Sequence, residues 1–306
     1  MISLLILCIN SKTESIADLS GIHTFMLKKY LPKVGEYQID VKTITMPLDE
    51  YRSLGTYDLC ISAPICGVRK MQKGIIEILR TKVRYGVLTL CEVSEMKGEE
   101  DVLLYMLGAP TEGCRRVFWG ADFELLKPMK PVDKIVILVD HPYYGKKSST
   151  VWKGDRSQML IDSLIEYRKK DPRIVIKQLC TGGAVTIGDH YTISPTYKRT
   201  SVDFRRIYQY YNEAHIFIPT HKESFGFTIV ECAAAGALIA YPSPGYIRQE
   251  LTDLLHSVPL GDCNKIQWDK IISQINIDKS IENAQVFSYT NLAKEVNDII
   301  KEKKGS

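Results

Sequence analysis

The stretch HIFIPTHKESFGFTIVECAAAGALIAY, residues 215–241, has the pattern of a strand, a loop, a helix and a second strand. Its first apolar run leads into a polar loop, and a helix rich in small residues begins near Phe227. Gly236 is placed to end that helix, and the run ALIAY follows it. Short apolar runs that alternate with helical patterns are typical of a parallel sheet covered on both faces. The stretch therefore predicts an α/β fold.

The same alternation runs through the chain in two series. In the first, strand-like runs occupy 3–9, 38–46, 57–63 and 85–90, and helical patterns occupy 21–31 and 71–79. Residues 117–134, with two prolines and no clear period, are interpreted as an interdomain linker. In the second series, strands are expected at 134–140, 174–179, 215–220 and 237–241, and helices at 159–170, 203–214, 228–236 and 289–304.

The two series predict two doubly wound, Rossmann-like domains with a cleft between them. The N-terminal domain is expected in residues 1–130 and the C-terminal domain in residues 131–287. In such sheets, ligands bind beyond the carboxyl ends of the strands. The architecture alone does not choose between a dehydrogenase, a binding protein and a transferase.

The composition is that of an ordinary globular protein. The net charge of +4 fits a protein that handles phosphorylated ligands, but it is well below that of a dedicated nucleic-acid binder. The eight cysteines contain no C-x-x-C pair and no zinc spacing, so reduced thiols in the cytoplasm are expected. No stretch is long enough for a membrane span, and the N-terminal run MISLLILCIN is interpreted as a buried strand rather than a signal peptide.

Two carboxylates bracket the loop-to-helix turn of the opening stretch, Glu223 in the loop and Glu231 on the helix. A carboxylate can accept two hydroxyl hydrogen bonds, which suits the vicinal hydroxyls of sugars and ribose. The free N–H groups of the helix N-terminus form a natural seat for a diphosphate, and Gly226 allows close approach of the backbone. Taken singly, Glu231 would also fit a partner of the helix dipole, and Glu223 a solvated loop residue.

Together, the pattern E-S-F-G-x-x-x-x-E at 223–231, the small-residue helix and P-S-P-G at 242–245 resemble the glutamate-x7-glutamate motif of family 4 retaining glycosyltransferases. The resemblance implies the GT-B fold, in which the last helix, about 288–304, packs back onto the N-terminal domain. Other segments resemble family elements in the same order, namely SGIHTFMLKKYL (20–31), VFWGADFELLKP (117–128), WKGD (152–155), YQYYNEAHIFIPT (208–220) and FSYTNLAKEV (287–296).

The resemblance implies a metal-independent, retaining hexosyltransferase that uses a nucleoside-diphosphate sugar, with UDP-sugar favoured, and no cofactor. By the same resemblance, Glu223 contacts the hydroxyls of the donor sugar and Glu231 holds the ribose of the nucleotide. Lys153 neutralises the diphosphate leaving group, whose charge develops in the transition state. The other implied donor-binding residues are Ser224, Phe225, Gly226, Phe227, Thr228, Gly21 and His141.

The chain departs from the family pattern after the first strand of its second half. The family has a glycine and an arginine there, and this chain has Asp140 and His141. His141, Lys146 or Lys147 are candidates to replace the arginine on the diphosphate. The N-terminal half is also short, so the acceptor stays open between a glycan, a lipid-linked glycan and a modified nucleic-acid base.

The segment GVRKMQKGIIEILRTKVR, residues 67–84, has six basic residues and one acid. Its spacing places Ile75, Ile76 and Leu79 towards a core, with Arg80 among the residues that face outwards. Three interpretations remain open, namely a solvated helix face, contact with an anionic membrane surface, and contact with a phosphate backbone. The second would place the protein peripherally at the inner membrane face. No obligate protein partner is evident.

Two other classes of function compete with the transferase. A catalytically degenerate relative would bind a nucleotide sugar without turning it over. A nicotinamide dehydrogenase would need G-x-G-x-x-G after a first strand. Neither VDHPYYG at 139–145 nor CINSKTESIADLSG at 8–21 has this spacing, which argues against the dehydrogenase.

Overall fold

The computed structural model of the chain describes residues 1–8, 19–62, 74–93, 101–107, 114–140, 154–179, 186–187, 191–194, 205–220, 226–242, 247–262 and 265–305. The described residues form two compact units. The first contains residues of Met1–Trp119 and Ser288–Ser306, and the second contains residues of Gly120–Lys198 and Val202–Phe287. Each unit has its own sheet of mainly parallel strands.

The first sheet is parallel throughout, in the order β2-β1-β3-β4-β5-β6. Its internal strand β1, which pairs with β2 and β3, is fully buried from Leu4 to Cys8, which explains why the sequence there is continuously apolar. The six strands are β1 (Ile2–Cys8), β2 (Tyr37–Thr43), β3 (Leu59–Ser62), β4 (Val87–Val93), β5 (Val102–Leu107) and β6 (Cys114–Arg116).

In the part of the first unit that the structure describes, three α-helices precede the division of the chain, namely α1 (Leu19–Tyr30), α2 (Leu48–Ser53) and α3 (Ile75–Lys82). A short 3₁₀ helix, Leu31–Lys33, follows α1. Ile75, Ile76 and Leu79 are buried on one face of α3 in a cluster with strand residues, as their spacing predicts. Arg80 is about half exposed and pairs with Asp101 at 3.4 Å.

The second sheet has the order β13-β12-β11-β7-β8-β10-β9, and among the described strands only the β9–β10 pair is antiparallel. Strand β7 is central, and the chain proceeds from it first to β8 and β10 on one side, then to β11, β12 and β13 on the other. The strands are β7 (Ile135–Val139), β8 (Ile174–Leu179), β9 (Thr186–Ile187), β10 (Tyr191–Ser194), β11 (Ile216–Ile218), β12 (Leu238–Tyr241) and β13 (Ser257–Pro259).

The helices of the second unit are α4 (Gly154–Lys170), α5 (Arg205–Glu213), α6 (Phe227–Ala234), α7 (Gln249–Leu254), α8 (Trp268–Ile272) and α9 (Ile277–Ala284), with a 3₁₀ helix at Gln285–Phe287. Residues from α4, α8 and five strands form a continuous core cluster. Each large aliphatic side chain buried in such a cluster stabilises the fold by roughly 1.5–3 kcal/mol relative to its exposed state.

The last helix, α10 (Tyr289–Gly305), belongs to the first unit. The Tyr289 ring stacks on Tyr30 at 6.3 Å, and its hydroxyl is hydrogen-bonded to Nδ1 of the buried His23 at 3.3 Å. Further along the same helix, Glu295 and Glu302 pair with Arg115 of the edge strand β6, at 2.5 Å and 3.0 Å. These contacts fix α10 against α1 and against the edge of the first sheet.

The prediction of an α/β fold with two doubly wound halves is confirmed by these two sheets. Residues 117–134 contain no helix or strand, and the division between the units falls inside this segment, between Trp119 and Gly120. The expected boundary at residue 130 lies eleven residues after Trp119. Strands β5, β6, β9, β10 and β13 and helices α2, α7, α8 and α9 were not predicted.

Candidate functional site

The strand order of the second unit has a switch point between its neighbouring strands β7 and β11. Because the chain leaves β7 towards one side of the sheet and β11 towards the other, a crevice forms beyond their carboxyl ends. Asp140 directly follows β7, and its backbone N–H donates to the carbonyl oxygen of Ile218 at 2.8 Å. The two strands thus end side by side at the same edge of the sheet. Helix α6 follows β11 in the chain and begins beyond this carboxyl edge.

Helix α6 begins at a glycine with a left-handed backbone. Gly226 is the N-cap, with φ of 76°, a conformation that side-chain-bearing residues rarely adopt. Its carbonyl oxygen accepts hydrogen bonds from the N–H groups of Ile229 at 2.9 Å and Val230 at 3.2 Å. Helix α6 therefore begins where the prediction put it, near Phe227, and its first turn directs N–H groups towards the crevice.

Small residues allow α6 to pack closely in the second unit. Cys232, Ala233 and Ala234 are fully buried. The helix ends in a Schellman motif, because the N–H of Ala237 donates to the carbonyl of Cys232 and the N–H of Gly236 to that of Ala233, both at 2.9 Å. Gly236 has φ of 90°, so its predicted role at the helix end is confirmed.

Glu231 lies in the second turn of α6 and is partly buried. The hydroxyl of Tyr208, on α5, donates to Oε1 of Glu231 at 2.9 Å. Tyr208 itself is 3% exposed, so the phenol reaches the carboxylate from the interior of the unit. This is a charge-assisted hydrogen bond, and it fixes the orientation of a carboxylate close to the switch point.

A second tyrosine of α5, Tyr211, lies beside Tyr208. The centroids of the two rings are 5.8 Å apart. Burial raises the pKa of the Tyr211 hydroxyl well above its ordinary value, and the nearby charge of Glu231 raises it further. Tyr211 therefore stays a neutral phenol beside the carboxylate.

The C-terminal end of α5 is held by the segment that precedes β7. The Lys130 ammonium donates to the carbonyl oxygens of Ala214 and, at 3.5 Å, of Tyr211. Burial lowers the pKa of Lys130 to about 7. The Asn212 amide donates to the carbonyl of Leu125 at 3.2 Å. These contacts satisfy the last carbonyls of the helix and fix the position of its tyrosines.

The structure brings together the predicted donor-binding residues of α6, namely Gly226, Phe227, Thr228 and Glu231. Gly21 lies in the first unit, in the first turn of α1, rather than in the loop before that helix. The remaining predicted site residues lie outside the described residues, and they are Glu223, Lys153, Ser224, Phe225 and His141.

Sequence reasoning missed Tyr208, which donates to Glu231, and Tyr211, whose ring lies beside that of Tyr208. Tyrosines three residues apart on an expected helix share one face, and this was the available signal. Among the described residues, no group of three or more His, Cys, Asp and Glu side chains could hold a metal ion. No helix within the described ranges has both the length and the apolar character to cross a bilayer.

At the level of sequence, neither a family model nor a curated protein matches the chain. Solved structures do match it over its whole length. The sucrose-phosphate synthase of Thermosynechococcus elongatus aligns with a TM-score of 0.63 and 12% identity, covering 99% of each chain. HepE of Anabaena, solved with UDP and glucose, aligns with a TM-score of 0.58 and 12% identity over 98% of this chain and 100% of its own.

A glycosyltransferase from Rickettsia africae ESF-5 aligns with a TM-score of 0.57 and 12% identity, over 99% of this chain and 98% of its own. At these identities the likeness concerns the fold. Because the alignments span both units and both parallel sheets, the chain has the GT-B fold, built from two Rossmann-like domains.

Proposed function

We propose that this protein is a retaining, metal-independent glycosyltransferase that uses a nucleoside-diphosphate sugar, with UDP-sugar as the favoured donor. The observation that carries the proposal is the Glu231 carboxylate, held by the Tyr208 hydroxyl close to the start of α6. A fixed carboxylate at a switch point suits the paired hydroxyls of a ribose. The GT-B fold and the UDP and glucose in the HepE structure support the same function.

The start of α6 supplies the chemistry that a donor diphosphate requires. The N–H groups in the first turn of a helix carry a partial positive charge, which favours an anion. Gly226 has no side chain to hold a phosphate away from the backbone. We assign the diphosphate to the N–H groups near Phe227 and Thr228, and the ribose to Glu231.

The other roles rest on the resemblance to family 4. Glu223 contacts the donor-sugar hydroxyls, and Lys153 neutralises the charge that develops on the diphosphate as the sugar–phosphate bond breaks. Ser224 and Phe225 contribute to the loop that contacts the donor. Gly21 in α1 contacts the donor or the acceptor, and His141 follows β7 at the family's arginine position.

A thermal-shift screen tests this proposal. The protein is heated with UDP, GDP, ADP, CMP or NAD, and then with the matching nucleotide sugars. A ligand that binds only the native state at a hundred times its Kd stabilises it by about 2.7 kcal/mol. We expect a shift with UDP that Glu231→Ala abolishes. A shift with NAD alone, or no shift with any nucleotide, would contradict the proposed donor class.

One observation favours a second candidate, a nucleotide-sugar-binding protein without turnover. Asp140 is 8% exposed and directly follows β7, one residue before His141, which stands at the family's arginine position. A carboxylate beside that position would repel a diphosphate rather than neutralise it. Purified protein that binds a UDP-sugar but neither hydrolyses nor transfers it, with a panel of glycan and lipid-linked acceptors, would establish this alternative.

For the acceptor, we propose a glycan, a lipid-linked glycan or a modified nucleic-acid base. The described part of the basic segment, α3, turns Ile75, Ile76 and Leu79 into the core and leaves Arg80 about half exposed. If this basic segment binds a membrane or a phosphate backbone, the affinity should decrease as the salt concentration rises. Two binding assays, each at two salt concentrations, separate the alternatives. Salt-sensitive sedimentation with anionic vesicles would support a lipid-linked acceptor, and salt-sensitive retention on DNA would support a nucleic-acid acceptor. Binding to neither would indicate a solvated helix face.

A further inference from the structure

A buried tyrosine of α5 holds a carboxylate of α6. The Tyr208 hydroxyl donates to Oε1 of Glu231 at 2.9 Å. Tyr208 and Tyr211 are three residues apart, so they share one face of α5, and the centroids of their rings lie 5.8 Å apart. The Tyr208–Glu231 bond therefore links the two helices at a packed aromatic face of α5.

From this arrangement we infer that Tyr208 is a positioning residue of the donor site. Its hydroxyl orients the Glu231 carboxylate so that it accepts hydrogen bonds from the ribose of the donor nucleotide. The inference rests on the proposed function, because it needs a ribose at Glu231. Tyr208 does not touch the donor in this scheme and acts only through the carboxylate.

The physical basis is the cost of ordering a glutamate. A glutamate side chain has several rotatable bonds, and holding it in one rotamer costs conformational entropy at the moment of binding. The phenol is 3% exposed, and its ring packs against the ring of Tyr211 at a centroid distance of 5.8 Å. The rigid, buried Tyr208 hydroxyl therefore orders the Glu231 side chain when the protein folds. The conformational entropy is lost at that stage, and the carboxylate is already ordered before the nucleotide binds.

The direction of the hydrogen bond also matters. The phenol donates its single proton to Oε1, and an ionised carboxylate can only accept hydrogen bonds. Ribose hydroxyls are donors to such a group. Loss of the Tyr208 hydroxyl should therefore weaken the binding of ribose hydroxyls selectively, and should leave contacts to the phosphates and the base almost unchanged.

The test is isothermal titration calorimetry of the full chain with UDP and with 2′,3′-dideoxy-UDP, which has no ribose hydroxyls. We expect Tyr208→Phe to weaken the binding of UDP about tenfold, the loss of one charge-assisted hydrogen bond, and that of the dideoxy analogue about twofold or less. Tyr210→Phe is the matched control, because Tyr210 lies on the same helix and its ring faces Lys177 at 5.6 Å. It should leave both affinities unchanged.

A purely structural role for Tyr208 would lower both affinities by the same factor, and that result would overturn the inference while leaving the proposed function intact. If the wild-type chain binds neither UDP nor its analogue, the proposed donor and the inference both fail. If the wild type binds UDP more tightly than the analogue, and Tyr208→Phe loses this difference while Tyr210→Phe keeps it, the result supports both the proposed donor and the inference.

A double-mutant cycle keeps the test valid if Tyr208→Phe reduces folding. Glu231→Gln retains the shape of the side chain, and Tyr208→Phe is introduced into it. If Tyr208 acts through Glu231, the second substitution should change UDP affinity by less than about twofold in the Glu231→Gln background. Independent losses from the two substitutions, which multiply in the double variant, would show that Tyr208 does not act through the carboxylate. Thermal unfolding of each variant without ligand separates loss of fold from loss of binding.

Discussion

Gly236 lies so close to Ile277 that a β-carbon on Gly236 would be 2.7 Å from Cγ2 of Ile277. Gly236 also has φ of 90° at the end of α6. We expect Gly236→Ala to lower the free energy of unfolding by about 2–5 kcal/mol, because a left-handed alanine costs roughly 1–2 kcal/mol and overpacking roughly 1–3 kcal/mol. Chemical denaturation measures the change.

The matched control for this substitution is Gly261→Ala. Gly261 also has a left-handed backbone, with φ of 76°, but no atom lies within 4 Å of an added β-carbon. Only the backbone cost of roughly 1–2 kcal/mol then applies. If both variants lose the same free energy, the contact with Ile277 relaxes freely, and α6 and α9 are packed less tightly than the structure shows.

A second prediction concerns the ribose carboxylate. Glu231→Gln should weaken UDP binding by about 10-fold to 100-fold, because a hydrogen bond to a charged group contributes roughly 1.5–3 kcal/mol and the neutral amide is a poorer acceptor. Thr228→Val, on the same face of α6, should have a smaller effect. Calorimetry with UDP gives the affinities. Unchanged affinity in Glu231→Gln would remove this residue from the nucleotide site.

A third prediction separates the two glutamates of the motif. Glu223→Ala should mainly lower the rate of transfer or hydrolysis of an intact UDP-sugar, because the residue is assigned to the sugar. Its affinity for free UDP should stay nearly unaltered, in contrast to that of Glu231→Gln. Parallel measurements of turnover and of UDP affinity decide this. An equal loss in both would mean that Glu223 does not act on the sugar.

The long apolar strands were predictable because a continuous apolar run in the sequence indicates a strand that is buried on both faces. The run IVILV in β7 and the run IFI in β11 are buried almost completely, as such apolar runs predict. The edge strand β6 carries Arg115 and Arg116 instead. Its partners Glu295 and Glu302 are far away in the chain, so no local pattern could indicate the strand.

The motif glutamates were found by spacing, but the group that orients one of them was not. Tyr208 and Glu231 are 23 residues apart and lie on different helices. Lys130 reaches the end of α5 across 84 residues. Such pairs depend on how helices pack on the sheet, which sequence periodicity does not specify, whereas a glycine at a helix start or end can be recognised from local backbone requirements.

The last prediction is a dependence of stability on pH that originates in the first unit. Burial lowers the pKa of His23 to about 3, against 6.5 for an unperturbed histidine. The unfolded chain therefore binds a proton that the folded chain does not bind between these values. Protonation of His23 therefore leaves the free energy of unfolding almost unchanged above pH 6.5 and lowers it as the pH falls below that value. Between pH 7 and pH 5 the loss from this residue is about 2 kcal/mol. Urea denaturation at the two pH values measures the loss.

The control is His23→Gln, whose amide can keep a hydrogen bond with Tyr289 but has no proton to gain. This variant should be less stable at pH 7, because it loses the ring contact with Trp119 at 6.0 Å, yet its stability should fall less steeply towards pH 5. His215, whose pKa burial lowers to about 4, contributes a slope of the same sign in both proteins and cancels in the comparison. Equal slopes would mean that the His23 imidazole is protonated in the folded chain at an ordinary pH, and that the contact between α1 and α10 admits water.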